Sequence, residues 1–178
     1  MGEYKLYYFD YIRENQKKII ADIKKSHSDL NQDGISDSTW KYYMYNIFGA
    51  TSPSPYFYSI FKELRRIIFE NVKSDKIWLQ SWLNYHNQEQ ILDWHNHKAP
   101  YHGYICIEPQ DTTTEFRGGW NILNECGNIY FGPGNTMHRV VNNTNYSGIR
   151  MTLGYDVITE ECLTDYEPTQ NYGLMPLI

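Results

Sequence analysis

The sequence predicts a mainly β fold, a sandwich or barrel such as a jelly roll, with helices packed on one face. Two observations carry this prediction. Within residues 1–75, two segments place apolar residues at helical spacing. Over residues 76–157, short runs rich in β-branched and aromatic residues alternate with Gly, Pro and Asn. We therefore expect a single domain over 1–178: a helical support region with one strand (1–75), a β core (76–157) and a C-terminal tail (158–178).

Length and composition agree with one folded domain. The chain has 178 residues, and its 16% aromatic content, including 17 tyrosines, supplies the apolar surface for a core. The net charge of −5 disfavours nucleic acid as a partner. A signal peptide and a long apolar run are both lacking, which predicts a cytoplasmic protein without a membrane segment. The three cysteines, an odd number without a C-x-x-C pair, are expected to be reduced thiols: Cys106, Cys126 and Cys162.

The N-terminal region predicts two helices and one strand. Asp10 is a suitable N-cap for a helix of about twenty residues. A second helix is expected from about Tyr56 to Asn71, and the aromatic and β-branched run Thr39 to Phe48 predicts a strand. The apolar stripes of the two helices are Ile12, Gln16, Ile19, Ile20 and Ile23 in the first and Ile60, Phe61, Leu64, Ile67 and Ile68 in the second.

The β core is predicted to contain six strands. The triplet Thr112-Thr113-Thr114 is expected in a loop, and the tail after Thr159 shows no periodicity, so we expect it to lie along the surface. The predicted strands are Ile77 to Tyr85, Ile91 to His97, Gly103 to Glu108, Asn128 to Phe131, Met137 to Val141 and Gly148 to Val157.

Histidines cluster in this core, since five of the six lie between residues 86 and 138. His95 and His97 are two residues apart, a spacing that in a strand directs both imidazoles to one face and so toward one metal ion. His138 follows a Pro-Gly-Asn turn that would direct its ring as it enters the next strand. The pattern predicts a metal site formed by His95, His97 and His138.

A second polar pair follows twelve residues later. In a strand, Arg150 and Thr152 share a face, with Ile149, Met151 and Leu153 on the other. An arginine inside a small barrel is costly unless an anion meets it, and its planar guanidinium suits a carboxylate. The alternative at this point is a structural ion pair with an Asp or Glu of the chain.

These residues together resemble the double-stranded β-helix core of iron(II)- and 2-oxoglutarate-dependent oxygenases. The similarity is greatest to the small enzymes of marine phage and bacteria that are related to prolyl hydroxylases. It covers about residues 76–157, through Ser81-Trp82-Leu83-Asn84, His95-Asn96-His97, Tyr101-His102-Gly103-Tyr104-Ile105 and the distal histidine with Arg-x-Thr. The resemblance implies that His95 and His138 bind iron(II), that Arg150 and Thr152 hold the distal carboxylate of 2-oxoglutarate, and that Tyr85 or Asn84 supports it. It also implies hydroxylation of a small-molecule or peptide substrate.

One position departs from the family pattern. Most such enzymes have Asp or Glu where this chain has His97. Three neutral imidazoles would leave iron its full double charge until the carboxylates of the cosubstrate bind. Asp93 is an alternative third ligand, because it would share the strand face of His95.

The same residues also resemble the cupin motifs, with His102 where the first motif has Glu and with the second motif running from Gly127 to Asn142. This leaves two further hypotheses open. The first is a cupin-like metalloenzyme that does not use 2-oxoglutarate, and the second is a jelly-roll binding or structural protein without activity. Arg150 and Thr152 favour the oxygenase.

Overall fold

The computed structural model describes residues 4–30, 45–90, 92–165 and 173–178. Over these ranges the chain forms a helix-backed β sandwich. Its elements in chain order are β1 (Lys5–Tyr8), α1 (Asp10–Leu30), α2 (Ile47–Ala50), α3 (Pro55–Asn71), β2 (Ile77–His86), β3 (Tyr101–Glu108), β4 (Thr112–Phe116), β5 (Asn121–Leu123), β6 (Asn128–Pro133), β7 (His138–Asn142), β8 (Arg150–Thr159), a 3-10 helix (Glu160–Asp165) and β9 (Met175–Leu177).

Two antiparallel sheets face each other. The major sheet has the strand order β1-β6-β3-β8-β2-β9, and the minor sheet has the order β5-β4-β7. The longest pairing joins β2 to β8, from Ile77 opposite Thr159 to His86 opposite Arg150. Because side chains alternate along a strand, β2, β3 and β8 each present one row to the minor sheet and one to the helices. The mainly β jelly-roll fold predicted from the sequence is confirmed.

Helices α1 and α3 cover the outer face of the major sheet. Their buried residues, among them Ile19 of α1 and Leu64 of α3, join Leu83 and Leu153 of the sheet in one core. Helix α3 begins at a Ser54 cap, whose hydroxyl accepts hydrogen bonds from the amides of Tyr56 and Phe57. Both predicted helices are confirmed, since α1 begins at Asp10 and α3 ends at Asn71. No described helix is both long and apolar enough to cross a membrane.

Several local predictions were wrong. The predicted strand Thr39 to Phe48 lies outside the described residues up to position 44, and its end is instead the start of α2, capped by Asn46. The Thr112 triplet is part of β4, because it pairs with both β5 and β7. In the tail, the described residues form the 3-10 helix and β9, which pairs with β2 at the edge of the major sheet, so part of the tail has regular structure. Strand β1, which no predicted segment covered, pairs with β6.

The predicted strand Ile91 to His97 was also wrong. Apart from a single bridge between His95 and His138, residues 92–97 form no regular structure. The segment is nevertheless fixed by backbone hydrogen bonds, from the amide of His97 to Gly134 and from the amide of Val140 to Leu92. It therefore runs along the start of β7 without completing a sheet.

Candidate metal and carboxylate site

A cavity of about 190 Å³ lies between the two sheets. The major sheet contributes side chains from β2, β3 and β8, and the minor sheet contributes β4 and β7. The remaining wall is the irregular segment that precedes β3. The lining residues are Trp82, Asn84, Leu92, His95, His97, His102, Tyr104, Thr114, His138, Val140, Arg150, Thr152 and Gly154.

Three histidines converge at this cavity. Ligand nitrogens of His95, His97 and His138 lie within 4.8 Å of one another. His95 and His138 are held together by a reciprocal pair of backbone hydrogen bonds of 3.0 and 2.9 Å. His97 is placed by its amide, which donates to the carbonyl of Gly134 in the turn before β7. The structure thus brings together the three residues that the sequence pattern groups, although they do not lie on a regular strand.

Each of these imidazoles uses Nδ1 for a protein acceptor. Nδ1 of His95 lies 2.6 Å from the carbonyl of Asp93, and Nδ1 of His138 lies 3.0 Å from the carbonyl of Thr136. A carbonyl only accepts, so both Nδ1 atoms carry the hydrogen and both Nε2 atoms present a lone pair. Nδ1 of His97 lies 3.0 Å from a carboxylate oxygen of Asp156, and its Nε2 is buried without a hydrogen-bond partner. This is the arrangement in which metal-binding histidines are normally held.

Burial favours the neutral form of three histidines that line the cavity. It lowers the pKa of His95, that of His102 to about 4 and that of His138 to about 2. Neutral imidazole is the form that binds a metal ion. These three rings therefore offer unprotonated nitrogens at physiological pH.

One buried carboxylate faces these rings. Asp156 on β8 accepts hydrogen bonds from Nδ1 of both His97 and His102. Burial alone would raise the pKa of Asp156, but the two N–H donors more than offset it and hold the pKa well below its usual value. His97, His102 and Asp156 also form a second group of possible metal ligands.

The other end of the cavity contains an uncompensated cation. Arg150 is buried, and among the described residues it forms neither an ion pair nor a hydrogen bond, so its Nε has no partner. The hydroxyl of Tyr104, which lines the same cavity, is also buried without a partner. Beside them, Thr152 accepts a hydrogen bond of 3.1 Å from the amide of Asn84, whose oxygen in turn accepts from the indole of Trp82. A cation and a hydroxyl without partners are what a bound carboxylate would satisfy.

The remaining predicted residues are not part of the cavity lining. Tyr85 lies on the opposite face of β2 from Asn84 and stacks on His27 of α1 at 4.3 Å, so of the two residues suggested to support the cosubstrate only Asn84 lines the cavity. Asp93 is exposed, and its carboxylate accepts from the amide of Trp94. Its backbone carbonyl contacts Nδ1 of His95, and its carboxylate belongs to neither group of possible metal ligands found among the described residues.

Sequence reasoning missed two residues of the site. Asp156 lies on the cavity face of β8 because it continues the alternation that begins with Arg150, Thr152 and Gly154. This alternation is visible in the sequence, but Asp156 belongs to no motif of the family. Tyr104 entered the sequence analysis only as part of the segment Tyr101 to Ile105, with no role of its own. Its place opposite Gly154 in the β3–β8 register brings it to the cavity, which both residues line.

No protein-family model matches the chain, and no curated protein sequence matches it. Solved structures do match. SnoK, a non-heme alpha ketoglutarate dependent carbocyclase from nogalamycin biosynthesis, superposes with a TM-score of 0.64 at 10% identity, over 89% of this chain and 80% of SnoK. The chain has the jelly-roll fold of such enzymes.

Two further structures show the same likeness. A Pseudomonas putida prolyl-4-hydroxylase gives a TM-score of 0.55 at 10% identity, over 90% of this chain and 89% of the hydroxylase. SnoN, an alpha ketoglutarate dependent epimerase of nogalamycin biosynthesis, gives 0.57 at 9% identity, over 89% of this chain and 77% of SnoN. At these identities the likeness concerns the fold, and the chemistry has to be argued from the residues.

Proposed function

We propose that the protein is an iron(II)- and 2-oxoglutarate-dependent dioxygenase that hydroxylates a small-molecule or peptide substrate in the cytoplasm. One observation carries the proposal. A single small cavity holds three convergent imidazoles at one end and a buried arginine without a described partner at the other. The motifs of the chain resemble the small prolyl-hydroxylase-related enzymes of marine phage and bacteria, and the neighbouring folds agree with this class.

The residues fit a divalent iron ion. His95, His97 and His138 would hold it through Nε2, because their Nδ1 atoms are occupied by protein acceptors. Three protein ligands leave coordination positions open, as a catalytic centre requires. Nε2 of His97 is buried without a hydrogen-bond partner, which lowers the stability of the fold unless a metal ion or a hydrogen-bond donor binds its lone pair.

The residues also fit a small dicarboxylate. The cavity of about 190 Å³ is below the roughly 300–1,000 Å³ of sites for drug-sized ligands. Arg150 would bind the distal carboxylate through its guanidinium fork, with the hydroxyls of Thr152 and Tyr104 beside it. The other carboxylate would reach toward the histidines, where its charge compensates a metal ion bound only by neutral rings.

In the proposed reaction, the residues of the chain position the cosubstrate and shield it from bulk water. Arg150 orients the cosubstrate along the cavity, and Asn84 fixes the hydroxyl of Thr152 through a hydrogen bond. The two sheets exclude bulk water from the space between them. Bound at the histidines, the iron–2-oxoglutarate centre supplies the oxidising chemistry, in which oxygen converts 2-oxoglutarate to succinate and carbon dioxide and hydroxylates the substrate.

The deciding experiment is an anaerobic titration of the iron(II)-loaded protein with 2-oxoglutarate, followed through its visible charge-transfer band. We expect the band in the wild type and weaker cosubstrate binding in Arg150→Lys, by about 1.5–3 kcal/mol, because a point charge replaces the two-pronged fork. Succinate release, screened over pools of small molecules and peptides, then identifies the substrate. Iron binding without any 2-oxoglutarate binding would instead indicate a cupin-like metalloenzyme.

The ligand assignment has its own test. Alanine variants of His95, His97 and His138 should each lose iron at micromolar protein concentration while remaining folded by circular dichroism. Asp93→Ala is the matched control and should keep full occupancy, since only its backbone carbonyl contacts the site. Loss of metal in Asp93→Ala with retention in His97→Ala would reverse the assignment.

A further inference from the structure

Asp156 contacts one of the proposed metal ligands, His97, and the neighbouring ring of His102. Its side chain is 1% exposed and faces the cavity side of β8. Nδ1 of His97 lies 3.0 Å from one carboxylate oxygen and 3.3 Å from the other, and Nδ1 of His102 lies 3.0 Å from the first oxygen. One carboxylate thus contacts two imidazoles at once.

These contacts determine which nitrogen of each ring is free. An ionised carboxylate has acceptors only, so both Nδ1 atoms must donate and both Nε2 atoms must present lone pairs. The alternative tautomer of His97 would place a hydrogen on Nε2 and prevent it from binding a metal ion. Asp156 therefore selects the form of His97 that can act as a ligand.

The geometry separates the roles of the two rings. His97 and His102 are stacked with centroids 3.5 Å apart and planes within 10°. Only His97 shares a donor group with both His95 and His138. His102 packs against His97 and fills the second acceptor position of Asp156.

We infer that Asp156 is a positioning residue for the metal centre. It fixes the tautomer and the ring orientation of His97. Its carboxylate, hydrogen-bonded to that ligand, also supplies the negative charge that the three imidazole ligands lack. The inference rests on the proposed three-histidine metal site but not on 2-oxoglutarate. It also explains how a histidine can occupy the third ligand position, because the carboxylate raises the basicity of the ring that it orients.

The first test measures cobalt(II) binding by its visible absorption in the purified protein. We expect Asp156→Asn to bind cobalt about 10- to 100-fold more weakly than the wild type, and we expect Tyr155→Phe to stay within about threefold. Tyr155→Phe is the matched control, since it removes a buried hydrogen bond of 2.6 Å from the same strand, on the face away from the site. Equal cobalt affinity in Asp156→Asn and the wild type would overturn the inference.

A third variant separates positioning from direct ligation. His102→Phe keeps a flat ring against His97 and leaves Asp156 and the three proposed ligands in place. We expect its cobalt affinity to exceed that of Asp156→Asn by about tenfold or more. A loss in His102→Phe as large as that in His97→Ala would mean that His97, His102 and Asp156 hold the ion themselves, which would overturn the positioning role.

The tautomers can be read without any metal. In ¹⁵N-labelled wild-type protein, long-range ¹H–¹⁵N spectra should show His97 and His102 as Nδ1–H tautomers. In Asp156→Asn, the cross-peaks of at least one of these rings should change because its tautomer is no longer fixed. An Nε2–H tautomer of His97 in the wild type would overturn the inference whatever the cobalt result. Wild-type protein that binds neither cobalt nor iron would overturn the metal site itself, whereas failure of 2-oxoglutarate binding alone would leave this inference standing.

Discussion

Arg150 illustrates the conflict between stability and function at the scale of one residue. Its guanidinium is buried in a cavity wall without a described ion-pair partner, and burial lowers its pKa. A buried cation without a counter-charge costs folding free energy. A ligand that carries the missing charge would remove this cost, which is why the proposed function rests on Arg150 more than on any motif.

The substitution Arg150→Met should therefore stabilise the ligand-free protein. Met is unbranched like the aliphatic stem of Arg and has no charge to desolvate, so we expect the free energy of unfolding to rise by about 1–3 kcal/mol. Urea unfolding of metal-free protein, compared with the wild type, measures this change. Adding 2-oxoglutarate to the iron-loaded protein should raise the stability of the wild type further but not that of the variant, which keeps the three histidines. A less stable Arg150→Met protein would show that the arginine has a structural partner.

The position of Gly154 in the cavity wall leaves no room for a side chain. A Cβ at this position would lie 2.4–2.7 Å from ring atoms of Trp82, whose indole donates to Asn84. We expect Gly154→Ala to destabilise the protein by about 1–3 kcal/mol through overpacking. It should also weaken 2-oxoglutarate binding, because Asn84 in turn holds Thr152.

Gly49 supplies the control for this substitution. In α2 its added Cβ would meet only the Cβ of Asn46, at 3.9 Å. Gly49→Ala should therefore be neutral or stabilising by up to about 1 kcal/mol. Thermal unfolding of both variants separates the two cases, and equal effects at the two positions would contradict the steric account.

At the scale of elements, sequence patterns predicted both long helices and five of the six core strands, but they missed β1, β4, β5 and β9. Helix α3 has an unambiguous stripe and a serine cap, and both are local signals. Strand β4 was missed because a threonine triplet resembles a loop, and only its pairing with β5 and β7 makes it a strand. The histidine segment was assigned as a strand from its alternation, yet its position depends on contacts with the turn before β7. Such long-range contacts leave no periodic pattern in the sequence.

Strand β9 shows how an unpatterned tail can contribute stability. Leu177 is 5% exposed and lies opposite Ile77 of β2. Leu177→Ala should lower the free energy of unfolding by about 2 kcal/mol, the low end for a buried leucine because the site is at a sheet edge. Ile178→Ala, at a side chain that is 95% exposed, is the control and should change it by less than about 0.5 kcal/mol. Equal effects in urea unfolding would mean that β9 does not hold the edge.

At the scale of the whole molecule, the architecture and the grouping of several polar residues were predictable from the sequence, but the hydrogen bonds among those residues were not. His95, His97, His138, Arg150 and Thr152 were grouped from spacing and resemblance, and the structure brings them to one cavity. Asp156 and the orphaned hydroxyl of Tyr104 were not foreseen, because their roles depend on which atoms lie beside them. Hydrogen-bond partners and tautomers are properties of the folded structure.

The buried histidines make the stability of the whole fold sensitive to mild acid. Burial lowers the pKa of His86 to about 4, with the charge of Arg150 adding to the shift, and burial also lowers the pKa of His102 to about 4. An unfolded histidine titrates near 6.5, so between about pH 6.5 and 4 the unfolded chain binds protons that the folded chain does not. The stabilisation present above pH 6.5 is thus lost as the pH falls through this window. The depressed pKa of Asp156 extends the loss to lower pH, because its carboxylate protonates first in the unfolded chain.

We expect the metal-free protein to lose stability steadily below about pH 6.5, by up to about 1.4 kcal/mol per pH unit for each buried histidine. Urea unfolding at half-unit intervals from pH 7.5 to 4.5, with a chelator present, measures the slope. His86→Gln should make the slope shallower by about one proton, because it removes a group that titrates only after unfolding. His27→Gln is the comparison and should change the slope less, since His27 lies only half-buried on α1. A flat profile over this range would mean that the histidines bind protons as readily in the folded protein as in the unfolded chain, contrary to their burial between the sheets.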